Sequence, residues 1–269
     1  MSYLFDHFNS IREVLTLSPL GLFTDIDGTI SEVAPSPAEA VVSSVCRENL
    51  AILSRHLDVV TAVSGRSALE ARRMVGIDEM VYIGNHGYER LLRGDLEVVP
   101  GAENYPHMIE NVLVTLRNNI YLEGVIFENK GYTASIHYRR CRDHDAALKA
   151  ITSAIDGLRI GEYMNVGLGK MAVEIKPPLE VHKGTAVCSL AEERGLKGAI
   201  YLGDDQTDVD VFIAFHRRGL PFRGVAIGVT GEETPPEIAL HADFTVSGVG
   251  DVECFLRQIV AEVAGKPGS

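Results

Sequence analysis

The stretch Leu22-Phe23-Thr24-Asp25-Ile26-Asp27-Gly28-Thr29-Ile30 sets two carboxylates two positions apart, where a short apolar run meets a glycine. In an extended strand, side chains at i and i+2 share a face, so Asp25 and Asp27 start on one side while Gly28-Thr29 turns the backbone beneath them. Two like charges brought together in apolar surroundings are costly unless a cation or a shared proton offsets them. Such a pair suits phosphoryl transfer, in which one aspartate attacks, the other shuttles a proton and a metal ion holds the electrophile. Gly203-Asp204-Asp205 closes a second apolar run far downstream, Ser64 closes a third, and Lys183 opens a predicted helix. Three acidic positions from two strands make a hard, oxygen-rich site that favours magnesium over zinc. Serine and lysine bring the hydrogen bond and the positive charge that a transferring phosphoryl group needs. Lys170 and Lys176 compete for the lysine role; Lys183 is preferred because it opens a helix beside the strand ends.

Residues this far apart need a scaffold that gathers strand ends. Short continuous apolar runs at 20–26, 59–63, 81–84, 199–202 and 224–228 read as buried parallel strands. Between them lie predicted helices at 8–17, after Pro37 (with Ala40, Val41, Val45, Leu50 and Leu53 inward), and at 68–75, 183–194, 208–217 and 251–264. This alternation predicts an α/β fold, a doubly wound, mainly parallel sheet whose ligand crevice lies outside the carboxyl ends of the strands. The middle of the chain differs. Helices over 105–119 and 143–158 alternate with strand pairs at 123–128/132–139 and near 161–166/170–176, joined by short turns. That αββαββ order predicts an antiparallel α+β unit inserted in the first domain. The expected division is a core over 1–102 and 180–269 with the insert over 103–179. Residues 228–231 read as a turn rather than a phosphate loop, and the acidic stretch 232–237 as a solvated loop.

Bulk properties narrow the partners. The 269 residues carry 37 acidic and 25 basic side chains, a net charge of −12, which disfavours nucleic acid and anionic membrane. No apolar run reaches membrane-spanning length, and the N-terminus shows no basic-then-apolar signal pattern. The four cysteines are scattered and form no CxxC pair, so zinc-site and disulfide-framework readings lack support and a reducing cytoplasm fits. A cytoplasmic, monomeric protein acting on a small molecule is the expectation.

The order and spelling of these motifs resemble the haloacid dehalogenase superfamily. Asp25-Ile26-Asp27-Gly28-Thr29, Ser64, Lys183 and Gly203-Asp204-Asp205 correspond to its four motifs. Within it, the chain resembles the trehalose-6-phosphate phosphatases through Ser64-Gly65-Arg66, Gly84-Asn85-His86-Gly87-Tyr88-Glu89 and His137-Tyr138-Arg139. Gly169-Lys170 to Glu174, His182-Lys183-Gly184 and Gly203 to Asp208 extend the likeness along the chain. The resemblance implies that Asp25 is the nucleophile, that Asp27 is the general acid and base, and that Ser64 and Lys183 hold the phosphoryl oxygens. It implies Mg2+ held by the Asp25 carboxylate, the Asp27 carbonyl and Asp204, with Asp205 and Asp208 behind, and a sugar phosphate as substrate. Arg66, Asn85 and His86 would lie on the substrate, and the insert would be a cap reading the sugar through Glu128, Lys130, Arg139 and Glu174. Glu128 and Lys130 also fit a plain cross-strand charge pair. Two departures stand out: Val209 where the family has glutamate, and Lys176 where it has arginine, which loses the two-pronged donor. A phosphatase for another sugar phosphate such as mannosyl-3-phosphoglycerate, a phosphomutase and a silent sugar-phosphate sensor are the alternatives.

Overall fold

A computed structural model describes residues 2–232 and 234–265. The chain divides into two compact units, Met1–Glu97 with Val181–Ser269, and Val98–Glu180.

The first unit starts with α1 (Phe8–Val14), β1 (Leu20–Thr24), α2 (Ser44–Leu53), β2 (Val59–Val63), α3 (Ala68–Val75), β3 (Val81–Gly84), β4 (Glu89–Leu92) and β5 (Asp95–Val98), whose last residue opens the second unit. The second holds α4 (Tyr105–Arg117), β6 (Ile126–Asn129), β7 (Ala134–His137), α5 (His144–Gly157), β8 (Asn165–Gly169) and β9 (Ala172–Lys176). The chain then completes the first unit with α6 (Lys183–Glu193), β10 (Gly198–Gly203), α7 (Gln206–Phe215), β11 (Arg223–Thr230), α8 (Pro236–His241), β12 (Phe244–Ser247) and α9 (Gly248–Ala264).

The large sheet runs β12-β11-β10-β1-β2-β3-β4-β5, parallel from β12 to β3 and antiparallel at β3–β4. Its central strands read as unbroken apolar runs because both faces are covered. Leu22, Val60, Tyr82, Ile200 and Leu202 point into one core with residues of α2, α3 and α9. Phe23, Val63, Ile83, Ala199 and Tyr201 point into the other, with α6, α7 and α8. The second unit's sheet runs β6-β7-β9-β8, all antiparallel. Ala134, Ile136, Val173 and Ile175 face the apolar stripes of α4 and α5. The alternate positions Glu128, Ser135, His137 and Glu174 therefore share the opposite, polar face.

Several expectations at element ends are corrected. β1 stops at Thr24, so Asp25 and Asp27 lie beyond the strand rather than in it. Pro37–Glu39 forms only a 3-10 turn, and α2 begins at Ser44, where the Ser43 hydroxyl accepts from the Cys46 amide at 3.3 Å. Val41 is accordingly 72% exposed instead of inward. Ile160–Glu162 is another 3-10 turn, which delays β8 to Asn165. Two elements carry no clear sequence signal: β12, a four-residue edge strand with two hydroxyl residues, and α8, a helix of six residues that takes in the end of the expected 232–237 loop. Glu233, part of that reading, lies outside the described residues. Val209, the first departure noted above, is buried in the second core of this sheet. Among the described residues no helix is long and apolar enough to cross a membrane.

Candidate active site

The parallel register of β1 and β10 aligns their carboxyl ends, Thr24 beside Leu202, and the Asp25 amide donates to the Leu202 carbonyl at 2.8 Å. Asp25 and Asp204 thus leave adjacent strands at one level. Gly28 makes the approach possible, since it has φ +91° and a Cβ there would sit 2.1 Å from Asp204 Oδ2. Thr29 Oγ1 reaches Asp204 Oδ1 at 3.4 Å. Carboxylate oxygens of Asp25, Asp204 and Asp208, all buried, lie within 4.8 Å of one another, a group that could hold a metal ion.

Lys183, the first residue of α6, reaches into this group. Its Nζ donates to Asp25 Oδ1 at 2.6 Å and to Asp208 Oδ1 at 2.7 Å, and its side chain is 2% exposed. Burial works against the lysine charge, but Asp208 and Asp25 outweigh it and hold Nζ firmly cationic. Burial drives the Asp25 carboxyl well above its usual range; Lys183 opposes that, while Asp208 and Asp204 add to it. One lysine against three buried carboxylates leaves negative charge uncompensated, which is the electrostatic deficit a divalent cation relieves.

Asp208 is saturated by the protein. Its Oδ1 takes Lys183 and the Tyr201 hydroxyl (2.6 Å), and its Oδ2 takes the amides of Asp204 (3.0 Å) and Asp205 (2.9 Å). Tyr201 was not anticipated; burial, and then Asp208, hold its phenol protonated, so it donates. A tyrosine in an otherwise apolar strand signals such a need, because a buried hydroxyl seeks a partner. Asp205 caps α7, its side chain accepting from the Gln206 amide at 2.6 Å.

The Asp27 side chain is not part of this group. Its carboxylate is gripped by Arg66, with Nε to Oδ2 at 2.7 Å and Nη2 to Oδ1 at 2.8 Å. Ser64 is buried just past β2, and its Oγ accepts from the Arg66 amide at 3.1 Å. Asn85 and His86 both have left-handed backbones, φ 50° and 59°, a costly arrangement for two consecutive non-glycine residues. The Asn85 side-chain Nδ2 donates to Glu89 Oε1 at 3.0 Å, which also takes the Ala68 backbone amide at 2.6 Å, tying this loop to α3. The His86 ring packs on Gly65, where a Cβ would sit 2.7 Å from its Cε1.

In the second unit, Glu128, Ser135 and Glu174 stand in register across β6, β7 and β9. Lys130 Nζ lies 3.8 Å from Glu128 Oε2 and 3.7 Å from Glu174 Oε2. Ser135 Oγ donates to Glu174 Oε1 at 2.7 Å, and His137 Nε2 donates to Glu128 Oε2 at 2.7 Å. Glu128 and Lys130 are therefore parts of a cluster rather than an exposed pair. Arg139 sits beyond the end of β7, its carbonyl accepting from His144 Nε2 at 3.1 Å.

A trehalose-phosphatase family model matches residues 23–237, most of the chain and every position named above in the carboxylate cluster. The chain belongs to that family. It is thereby a phosphoric monoester hydrolase of haloacid dehalogenase-like fold. Trehalose-6-phosphate phosphatase of Escherichia coli (strain K12) is 30% identical over 251 residues, 91% of this chain and 88% of that protein. Probable trehalose-phosphate phosphatase 3 of Oryza sativa subsp. japonica is 28% identical over 280 residues, 94% of this chain and 72% of the relative. Among solved structures, a trehalose-6-phosphate phosphatase related protein superposes with a TM-score of 0.76 at 25% identity, covering 91% of this chain and 98% of its own. The family read from the motifs is the family found.

Proposed function

We propose that this protein hydrolyses trehalose 6-phosphate to trehalose and phosphate, through an aspartyl-phosphate on Asp25 and with Mg2+. The observation that carries this reading is the buried Asp25 carboxylate, hydrogen-bonded to Lys183 and grouped with Asp204 and Asp208 at the end of the parallel sheet. The printed names of the relatives support the sugar.

The donor set fits a hard divalent cation, all carboxylate oxygen and short of positive charge. Asp25 and Asp204 would hold it, because Asp208, with both oxygens already hydrogen-bonded, is suited to fixing the Asp204 backbone and Lys183. When bound, the cation supplies positive charge against the phosphoryl oxygens. Lys183 adds its own charge there, and Ser64 a hydroxyl.

An Asp25 carboxylate oxygen attacks phosphorus as the bond to the sugar oxygen breaks. The departing electron pair stays on that oxygen, which takes a proton from Asp27. A water molecule then attacks phosphorus and gives a proton to Asp27. The bond to Asp25 breaks, the carboxylate re-forms and inorganic phosphate leaves. Lys183 stays protonated throughout, since the Asp208 carboxylate remains beside it while Asp25 carries the phosphoryl group. The sugar is read by the polar sheet face of the inserted unit, through Glu128, Lys130 and Glu174 with Arg139, and that unit acts as the cap.

Phosphate release from a panel of phosphorylated sugars, in Mg2+ and in chelator, tests the reading. Release from trehalose 6-phosphate above the other sugars, lost in chelator, is expected. Preference for another sugar phosphate overturns the substrate alone. Binding without release from any member overturns the enzyme reading.

A further inference from the structure

Arg66 is spent inside the first unit. Besides the two bonds to Asp27, its Nη2 donates to the Pro37 carbonyl at 2.8 Å and its Nη1 to Glu70 Oε1 at 2.6 Å. The Arg66 side chain is 7% exposed, whereas that of Asp27 is 40% exposed. The Arg66 backbone is pinned as well, its amide to Ser64 Oγ and its carbonyl by the Asn85 amide at 2.7 Å. Two carboxylates flank one guanidinium, so its charge is matched without a ligand. A planar fork closed on both oxygens of a carboxylate fixes the direction of that carboxylate as well as its charge.

We propose that Arg66 is a positioning residue that acts through Asp27, aiming its carboxylate for proton transfer, rather than a residue that touches the sugar phosphate. The proposal rests on the reading of Asp27 as the proton shuttle. The buried arginine is anchored to α3 through Glu70 and to the 37–39 turn through Pro37, so the position of the Asp27 carboxylate is set by elements that do not carry it. Its exposure leaves the carboxylate reachable by a leaving group. Proton transfer to an alkoxide depends steeply on such placement, while a leaving group that departs as a stable anion does not need it.

Arg66→Lys keeps the charge and loses the fork. Its kcat/KM on trehalose 6-phosphate should fall about 10- to 100-fold, and on 4-nitrophenyl phosphate, whose phenolate leaves without a proton, by less than about threefold. In an Asp27→Asn background the same replacement should add no further loss on the sugar phosphate. Calorimetry on Asp25→Asn and Asp25→Asn/Arg66→Lys should give equal affinity for trehalose 6-phosphate. Equal losses on both esters, an undiminished loss in the Asp27→Asn background, or weakened binding in the double variant would each overturn the proposal. If circular dichroism shows Arg66→Lys unfolded, Glu70→Gln loosens the same fork from its far side and must show the same bias between esters. A wild-type protein inactive on both esters fails the phosphatase reading itself, whereas an active one with the wrong bias fails only the role of Arg66.

Discussion

Each unit sets one lysine between two carboxylates, and the two arrangements differ by about an ångström. Lys183 sits 2.6 and 2.7 Å from Asp25 and Asp208. Lys130 lies 3.8 and 3.7 Å from Glu128 and Glu174. The first set uses short aspartates carried by strand ends and a helix start, held further by Tyr201 and backbone amides. The second uses long glutamates on the polar face of a sheet, tethered by Ser135 and His137. Short side chains on rigid termini fix atoms for bond making; long ones on a sheet face can adjust to hydroxyls. On the proposed reading the two lysine groups serve different ends.

The largest effect that could break this contrast is on Asp25. Asp25→Asn should lower turnover of every phosphate ester by at least about 10⁴-fold with the circular dichroism spectrum unchanged, since charge goes but volume stays. Retained turnover would remove Asp25 from the chemistry. Withdrawal of divalent cation should likewise abolish turnover, and Mg2+ at about a hundredfold excess over its Kd should stabilise the wild type by roughly 2.7 kcal/mol. Asp204→Asn should lose most of that thermal shift; an unchanged shift would place the cation elsewhere. Lys183→Met should cost about 3–5 kcal/mol of stability, because it leaves buried carboxylates facing one another. Denaturant unfolding without Mg2+ measures this, and a cost below about 1 kcal/mol would mean the lysine is not the cluster's counter-charge. The smallest effects belong to the second unit. Glu174→Ala or Lys130→Ala should reduce kcat/KM about 10- to 100-fold on trehalose 6-phosphate and little on 4-nitrophenyl phosphate. Equal losses on both would erase the distinction between the two lysine clusters.

Legibility followed the same divide. The strand ends bearing Asp25 and Asp204 were readable because parallel strands buried on both faces must be apolar, which makes a terminal aspartate conspicuous. Val41 was misplaced because its apolar character suggested a buried helix face, while the Ser43 cap decides where α2 begins. The strand β12 escaped because edge strands need little apolar content. Arg66 read as a substrate contact from its motif, and its guanidinium closure on Asp27, 39 residues away in sequence, had no local signal.

The sequence by itself determined the reaction class, the family and the alternation that gathers the acidic residues. Burial demands apolar runs and makes carboxylates at their ends conspicuous, while the family came through the resemblance of its motifs. Tertiary structure alone decided which side chains pair. It set the Asp208 carboxylate within reach of those of Asp25 and Asp204, brought Tyr201 under that group, and closed Arg66 on Asp27. Hydrogen-bond geometry depends on sub-ångström placement of groups far apart in the chain, and no spacing in the sequence encodes it.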